Sequence, residues 1–179
     1  MVYNPAEQYR CDIVRSRSIR LTDDLLPAYA NIIDRLCPCA EADFIEGFNN
    51  MLKAYLLKLG CSVDMKALNN HRTETAKTLF GMYYIDHLGK VQASERTKQY
   101  LLDRDQPAFF KDICYKLQFP NGMTIPKTLK QRVADGLNIY PCRFLIEALQ
   151  IAENKGILLT KEEVGYYILS AKDVLTGKC

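Results

Sequence analysis

The 179-residue sequence predicts a mostly α-helical fold with a small β-hairpin wing, a winged helix (helix-turn-helix) with additional helices. Three observations predict it. Two amphipathic stretches with a period near 3.6 residues fill the region between Thr22 and Leu59. A third helical stretch, Thr73–Met82, runs directly into a hairpin pattern, Tyr83-Tyr84-Ile85 and Val91-Gln92-Ala93 around the turn Asp86–Lys90. A cap residue, Ser94, then opens a further helix at once.

The elements follow in order. Residues 1–21 show no sustained period and read as an extended arm. Thr22 or Asp23 can cap a helix whose apolar face is Leu25, Leu26, Tyr29, Ile32, Ile33 and Leu36, and Pro38 stops it. A second helix runs from Glu41 to Leu59, with Phe44, Ile45, Phe48, Met51, Leu52, Tyr55, Leu56 and Leu59 on one face and Gly60 at its end. Residues 62–70 read as a turn or short helix before the Thr73 helix. After the hairpin, Pro107 opens a helix over 108–119. Residues 120–140, with two prolines, two glycines and several basic residues, read as a surface connection with one helical turn or more. Residues 142–154 form an amphipathic helix, and Thr160 with Glu163 makes a capping box for the last one. The division is an arm over 1–21, a winged-helix subdomain over 22–119, and a basic connection with a helical pair over 120–179.

Composition sets broad limits. A hydrophobic fraction of 48% and a charged fraction of 25% are those of a soluble globular protein. No run reaches the roughly 20 apolar residues of a membrane span, and the first residues lack a signal-peptide pattern, so a cytoplasmic location is expected. The seven cysteines are odd in number and irregularly spaced. The tightest pair, Cys37-Pro38-Cys39, has one residue between ligands where zinc sites use two or more, so no metal site is expected.

The net charge of +3 is small but unevenly spread. Basic side chains gather at 10–20, 66–77 and 120–134, while acids collect at Asp23-Asp24, Glu41–Glu46 and Glu162-Glu163. This distribution suggests a basic face. The run Asn69, Asn70, His71, Arg72, Thr73, Thr75 and Lys77 lies where a recognition helix begins. Arg and Lys suit the acceptors of guanine, and Asn suits adenine. The same residues would also serve as an ordinary solvated helix start. Arg10 and the alternation Arg15, Ser16, Arg17, Ser18, Arg20 suit an arm along phosphates or in a minor groove, or equally a solvated strand edge. Lys66, the wing residues His87 and Lys90, and Lys127, Lys130 and Arg132 are candidate backbone contacts, which add affinity without sequence information. No glycine-rich phosphate loop, HExxH motif or carboxylate cluster is present, so no catalytic residue and no cofactor are expected in this chain.

Longer motifs carry a resemblance. The segments Tyr3-Asn4-Pro5 through Arg10, Asp24–Asp34, Asn70-His71-Arg72-Thr73-Glu74, Leu79-Phe80-Gly81-Met82, Asp105–Cys114 and Gln118–Met123 resemble the amino-terminal DNA-recognition part of type IIS restriction endonucleases of the BpuJI kind. A looser order, Lys77, Gly81, Tyr84, Asp86 and Gly89, is similar to the recognition domain of site-specific nicking endonucleases. The resemblance implies a prokaryotic protein that recognises a short asymmetric site in double-stranded DNA through winged-helix subdomains. It implies a separate nuclease domain using a divalent metal such as Mg2+, absent from this chain, and a monomeric fragment. Other readings of the residues are a winged-helix transcription regulator on a palindromic operator and a helical protein-interaction domain.

Overall fold

A computed structural model describes residues 25–121, 126–169 and Thr176. The chain divides into two compact units between Phe110 and Lys111. The expected capping at Thr22 or Asp23 and the arm fall outside the described residues.

The first unit contains α1 (Leu25–Leu36), β1 (Cys39–Ala40), α2 (Glu41–Lys58), α3 (Met65–Asn70), β2 (Tyr83–Ile85), β3 (Lys90–Ala93) and α4 (Glu95–Asp103). Helix α3 continues without a break as a π-helical segment, His71–Leu79. The strands form one antiparallel sheet in the order β1-β3-β2, with Val91 opposite both Cys39 and Ile85. This is the winged-helix arrangement. Strand β1 is an addition to the expected elements; its two residues carry no pattern of their own and pair only because β3 presents an edge.

Apolar spacing explains the core. Tyr29 and Ile33 on α1, Phe44, Phe48 and Leu52 on α2, and Leu68 on α3 all face inward. On α1 and α2 they recur at four-residue steps, so each of these helices presents one apolar stripe. Ring contacts join the elements: Tyr29 lies 6.0 Å from Phe48, Phe44 lies 4.5 Å from Tyr83, and Phe80 lies 5.7 Å from Phe109 in an edge-on arrangement.

Local signals set the boundaries. Asp64 caps α3 by accepting from Ala67 N at 2.7 Å, and Ser94 caps α4 by accepting from Thr97 N. Gly81, at φ +58°, turns the π segment into β2, where a side chain would be strained and would meet the Arg96 guanidinium 2.9 Å away. That guanidinium donates to Phe80 O, closing the same corner.

The unit boundary lies inside α5 (Gln106–Lys116). The second unit continues with α6 (Pro126–Ala134), α7 (Pro141–Asn154) and α8 (Lys161–Glu163), the last running on as a π turn, Val164–Ile168. The helix expected over 108–119 ends three residues early. Phe119 leaves it to exchange two backbone hydrogen bonds with Ile139, and with Leu137 it forms a small buried cluster. The stretch 120–140, expected as a surface connection, therefore carries a nine-residue helix and part of a core. The Thr160–Glu163 capping box is formed in both directions.

Candidate nucleic-acid interface

The sequence-predicted recognition run occupies the end of α3 and the π segment, which packs on α2 and β2. Burial sorts its side chains into two stripes. Lys66, Asn70, Thr73 and Lys77 are exposed, at steps of four, three and four residues, and so share the outer face. Leu68, Arg72, Thr75, Ala76 and Leu79 are buried. The outer stripe carries two cations, an amide and a hydroxyl, and no acid. Glu74 is half-buried beside it.

Widened winding is visible in the hydrogen bonds. Phe80 N donates to Thr75 O, five residues back, and the Thr78 hydroxyl donates to Thr73 O over the same interval. The Thr73 hydroxyl donates to Asn69 O at 2.8 Å. Such widened turns recur at functional sites.

Arg72 corrects the expectation that the whole run is presented outward. It is 8% exposed, and its Nη1 donates to Asn49 Oδ1 and Asn69 Oδ1, both at 2.9 Å. Asn49 Nδ2 donates to the same Asn69 oxygen at 3.1 Å, and the Tyr83 hydroxyl donates to Arg72 O. Arg72 thus ties the π segment to α2 and β2. A buried guanidinium is a donor only, and here amide oxygens are its acceptors. Burial pushes the Tyr83 hydroxyl up to about 12, a rise that nearby Arg72 moderates.

His71 is half-buried, its Nδ1 hydrogen-bonded to the Tyr29 hydroxyl on α1. Burial holds its pKa below the usual value of 6.5 and raises that of Tyr29. Of the seven residues expected to face bases, Asn70, Thr73 and Lys77 are exposed. Asn69 and His71 are half-buried and bonded internally, and Arg72 and Thr75 are inside. Lys77 also lies 5.9 Å from the centre of the Tyr83 ring, at the start of the hairpin.

The wing is held by Asp86. Its Oδ1 accepts from Leu88 N and Lys90 N, and its Oδ2 from Gln92 Nε2, all at 2.9 Å. Its backbone adds Asp86 N to Lys90 O and Gly89 N to Asp86 O, with Gly89 at φ +75°. These bonds, led by that from Gln92, hold the Asp86 carboxyl below the usual aspartate value. The exposed tip presents His87, Leu88 and Lys90.

The remaining predicted contacts lie elsewhere. Lys127 and Lys130 are exposed on α6 of the second unit. Arg132 on the same helix is 7% exposed, its guanidinium 4.9 Å over the Phe119 ring, so its charged head packs inward and is not offered to a phosphate. Arg10, Arg15, Ser16, Arg17, Ser18 and Arg20 lie outside the described residues. Among the described residues no three His, Cys, Asp or Glu side chains come together as metal ligands, and no helix is long and apolar enough to cross a membrane.

Asn49, which the sequence does not single out, is the residue of α2 that holds Arg72 and Asn69. It sits on the predicted inner face of α2, where an amide reads as a flaw in an apolar stripe. An inward polar residue amid Phe44, Phe48 and Leu52 was the available signal for a buried polar partner.

Comparison with known proteins bears on the fold and the family. A solved structure, described as a crystal structure of pyrene- and phenanthrene-modified DNA in complex with the BpuJ1 endonuclease binding domain, is similar at a TM-score of 0.87 and 46% identity. The match covers 99% of this chain and 63% of that one, so the chain spans under two thirds of the length of the protein it resembles. No curated protein matches significantly. The family described as restriction endonuclease BpuJI, N-terminal, matches residues 3–179, and the chain belongs to that family.

Proposed function

We propose that this chain is the DNA-recognition module of a type IIS restriction endonuclease and reads a short asymmetric site in double-stranded DNA. The observation that carries this reading is the outer stripe of Lys66, Asn70, Thr73 and Lys77, beside a wing with a basic tip, in a chain of a restriction endonuclease family. A helix of this width fits the major groove, where base edges differ in their donors and acceptors.

In this reading Asn70, Thr73 and Lys77 face base edges, and Lys66, His87 and Lys90 hold phosphates. Arg10 and the run 15–20 serve as the arm, and Lys127 and Lys130 add sequence-independent contacts. Arg72, Asn69, His71 and Thr75 hold the recognition segment in position. The module is a monomer on its site and has no catalytic residue of its own. Cleavage, with the Mg2+ that it requires, belongs to a nuclease domain elsewhere in the parent enzyme. Family membership and the DNA bound to the similar endonuclease domain support this assignment.

The test is binding of labelled duplex DNA across a salt series. The reading expects log affinity to fall linearly with log salt, at about 0.9 per phosphate neutralised. Lys66→Ala should flatten that slope by about one unit on every sequence. Lys77→Ala should instead weaken the preferred sequence by about 1–3 kcal/mol and spare non-specific binding. Affinity indifferent to salt would overturn DNA binding, and equal loss on all sequences would remove Lys77 from base readout.

A further inference from the structure

Away from the proposed DNA face, helices α5 and α7 bring two cysteines together. Cys114 is exposed on α5, and Cys142 is half-buried in the first turn of α7. The residues that follow them in sequence are also in contact: the Arg143 guanidinium lies 5.1 Å from the centre of the Tyr115 ring and 4.7 Å from that of Tyr140. Arg143 is thereby held between two rings and keeps the first turn of α7 on α5. Burial first, and then the Cys114 thiol beside it, push the Cys142 thiol up to about 11.

We propose that Cys114 and Cys142 form a reversible thiol–disulfide modification site that reacts with low-molecular-weight disulfides such as glutathione disulfide and, when oxidised, links α5 to α7. The roles follow from exposure and charge. Cys114 is accessible, so its thiolate attacks the external disulfide; one glutathione thiolate leaves and takes up the proton that Cys114 gave up. Cys142 keeps its proton near neutral pH and reacts second. Its sulfur attacks the Cys114 sulfur of the mixed disulfide and expels the second glutathione, which takes up the Cys142 proton. One glutathione disulfide is reduced to two thiols, and one protein disulfide forms. Proximity favours this second step, because the two thiols are already held side by side by their helices.

The other described cysteines are not paired across two helices. Cys61 is exposed, its thiol directed to Leu59 O. Cys37 and Cys39 are near neighbours across a single proline at the α1–β1 junction, and burial first, then the Cys39 thiol and Asp34, push Cys37 up to about 12. Selectivity for this pair among the described cysteines is therefore a direct prediction of the fold.

The experiment equilibrates the native chain with glutathione disulfide, quenches it in acid, and digests it with trypsin. Peptides 112–116 and 133–143 carry the two cysteines and should be recovered joined, at least ten-fold above any other cysteine pair. Cys142→Ser should trap glutathione on Cys114, and Cys114→Ser should leave Cys142 reduced. Oxidation in strong denaturant should erase the preference, since the pairing is imposed by the fold. Glutathione remaining on Cys114 of the unaltered chain, or preferential linkage of Cys37 to Cys39, would overturn the proposal. Because this readout involves no DNA, it stands or fails separately from the recognition role.

Discussion

The contact between Arg72 and Asn49 gives the sharpest energetic prediction. Asn49→Ala removes the acceptor of one charged hydrogen bond at 2.9 Å and the donor of a neutral one at 3.1 Å. A hydrogen bond to a charged group contributes about 1.5–3 kcal/mol and a neutral one about 1 kcal/mol. No longer desolvating the Asn49 amide returns about 1 kcal/mol, so the expected loss is about 1.5–3 kcal/mol. Arg72→Ala should cost about 2–4 kcal/mol, since it also strands the oxygens of Asn49 and Asn69 and opens space beneath the π segment. The double variant should cost less than the sum, with a coupling of about 1.5 kcal/mol or more. Urea denaturation of the four proteins supplies the cycle. Additive effects, within about 0.5 kcal/mol, would refute the idea that Arg72 acts through Asn49.

Further expectations concern the same framework. His71 has a folded-state pKa below its unfolded value, so the unfolded chain binds protons first; stability is full above about 6.5 and falls as pH drops below it. His71→Gln should flatten that slope, as read by thermal denaturation from pH 7.5 to 5. Asp86 is also lowered, so its hold on the wing is complete above the usual aspartate value of 3.8 and is lost as pH falls through its lower folded value. Asp86→Ala at neutral pH should speed amide exchange at Leu88 and Lys90 while leaving α1 and α2 unchanged. Ser94→Ala should cost about 1 kcal/mol through loss of the α4 cap, measured by urea denaturation.

Much of this architecture is legible from local chemistry. Helices α1 and α2 follow from apolar spacing, the hairpin from Tyr83–Ala93 around Gly89, and the last helix from Thr160 and Glu163. These signals lie within a few residues of what they specify. Strand β1 does not follow, because two residues gain strand character only from β3, about 50 positions later. Nor does the fate of Arg72. Arginine before a helical run reads as a surface cation, and its burial depends on Asn49, 23 residues away on another helix. Arg132 is the same case, its guanidinium drawn over Phe119 from a segment that reads as a loop. Within the run Asn69–Lys77, which side chains face outward depends on the inward partners of Asn69, His71 and Arg72 on α1 and α2. Those partners lie on other helices, out of reach of local periodicity.

The central claim, sequence recognition of DNA, is tested most directly by selecting bound duplexes from a random-sequence pool at roughly physiological salt, where non-specific phosphate binding is suppressed. The account predicts enrichment of one short asymmetric motif, weakened by Lys77→Ala. A palindromic motif bound by two chains would contradict the monomeric restriction-module reading, and an unenriched pool would contradict sequence recognition by this chain.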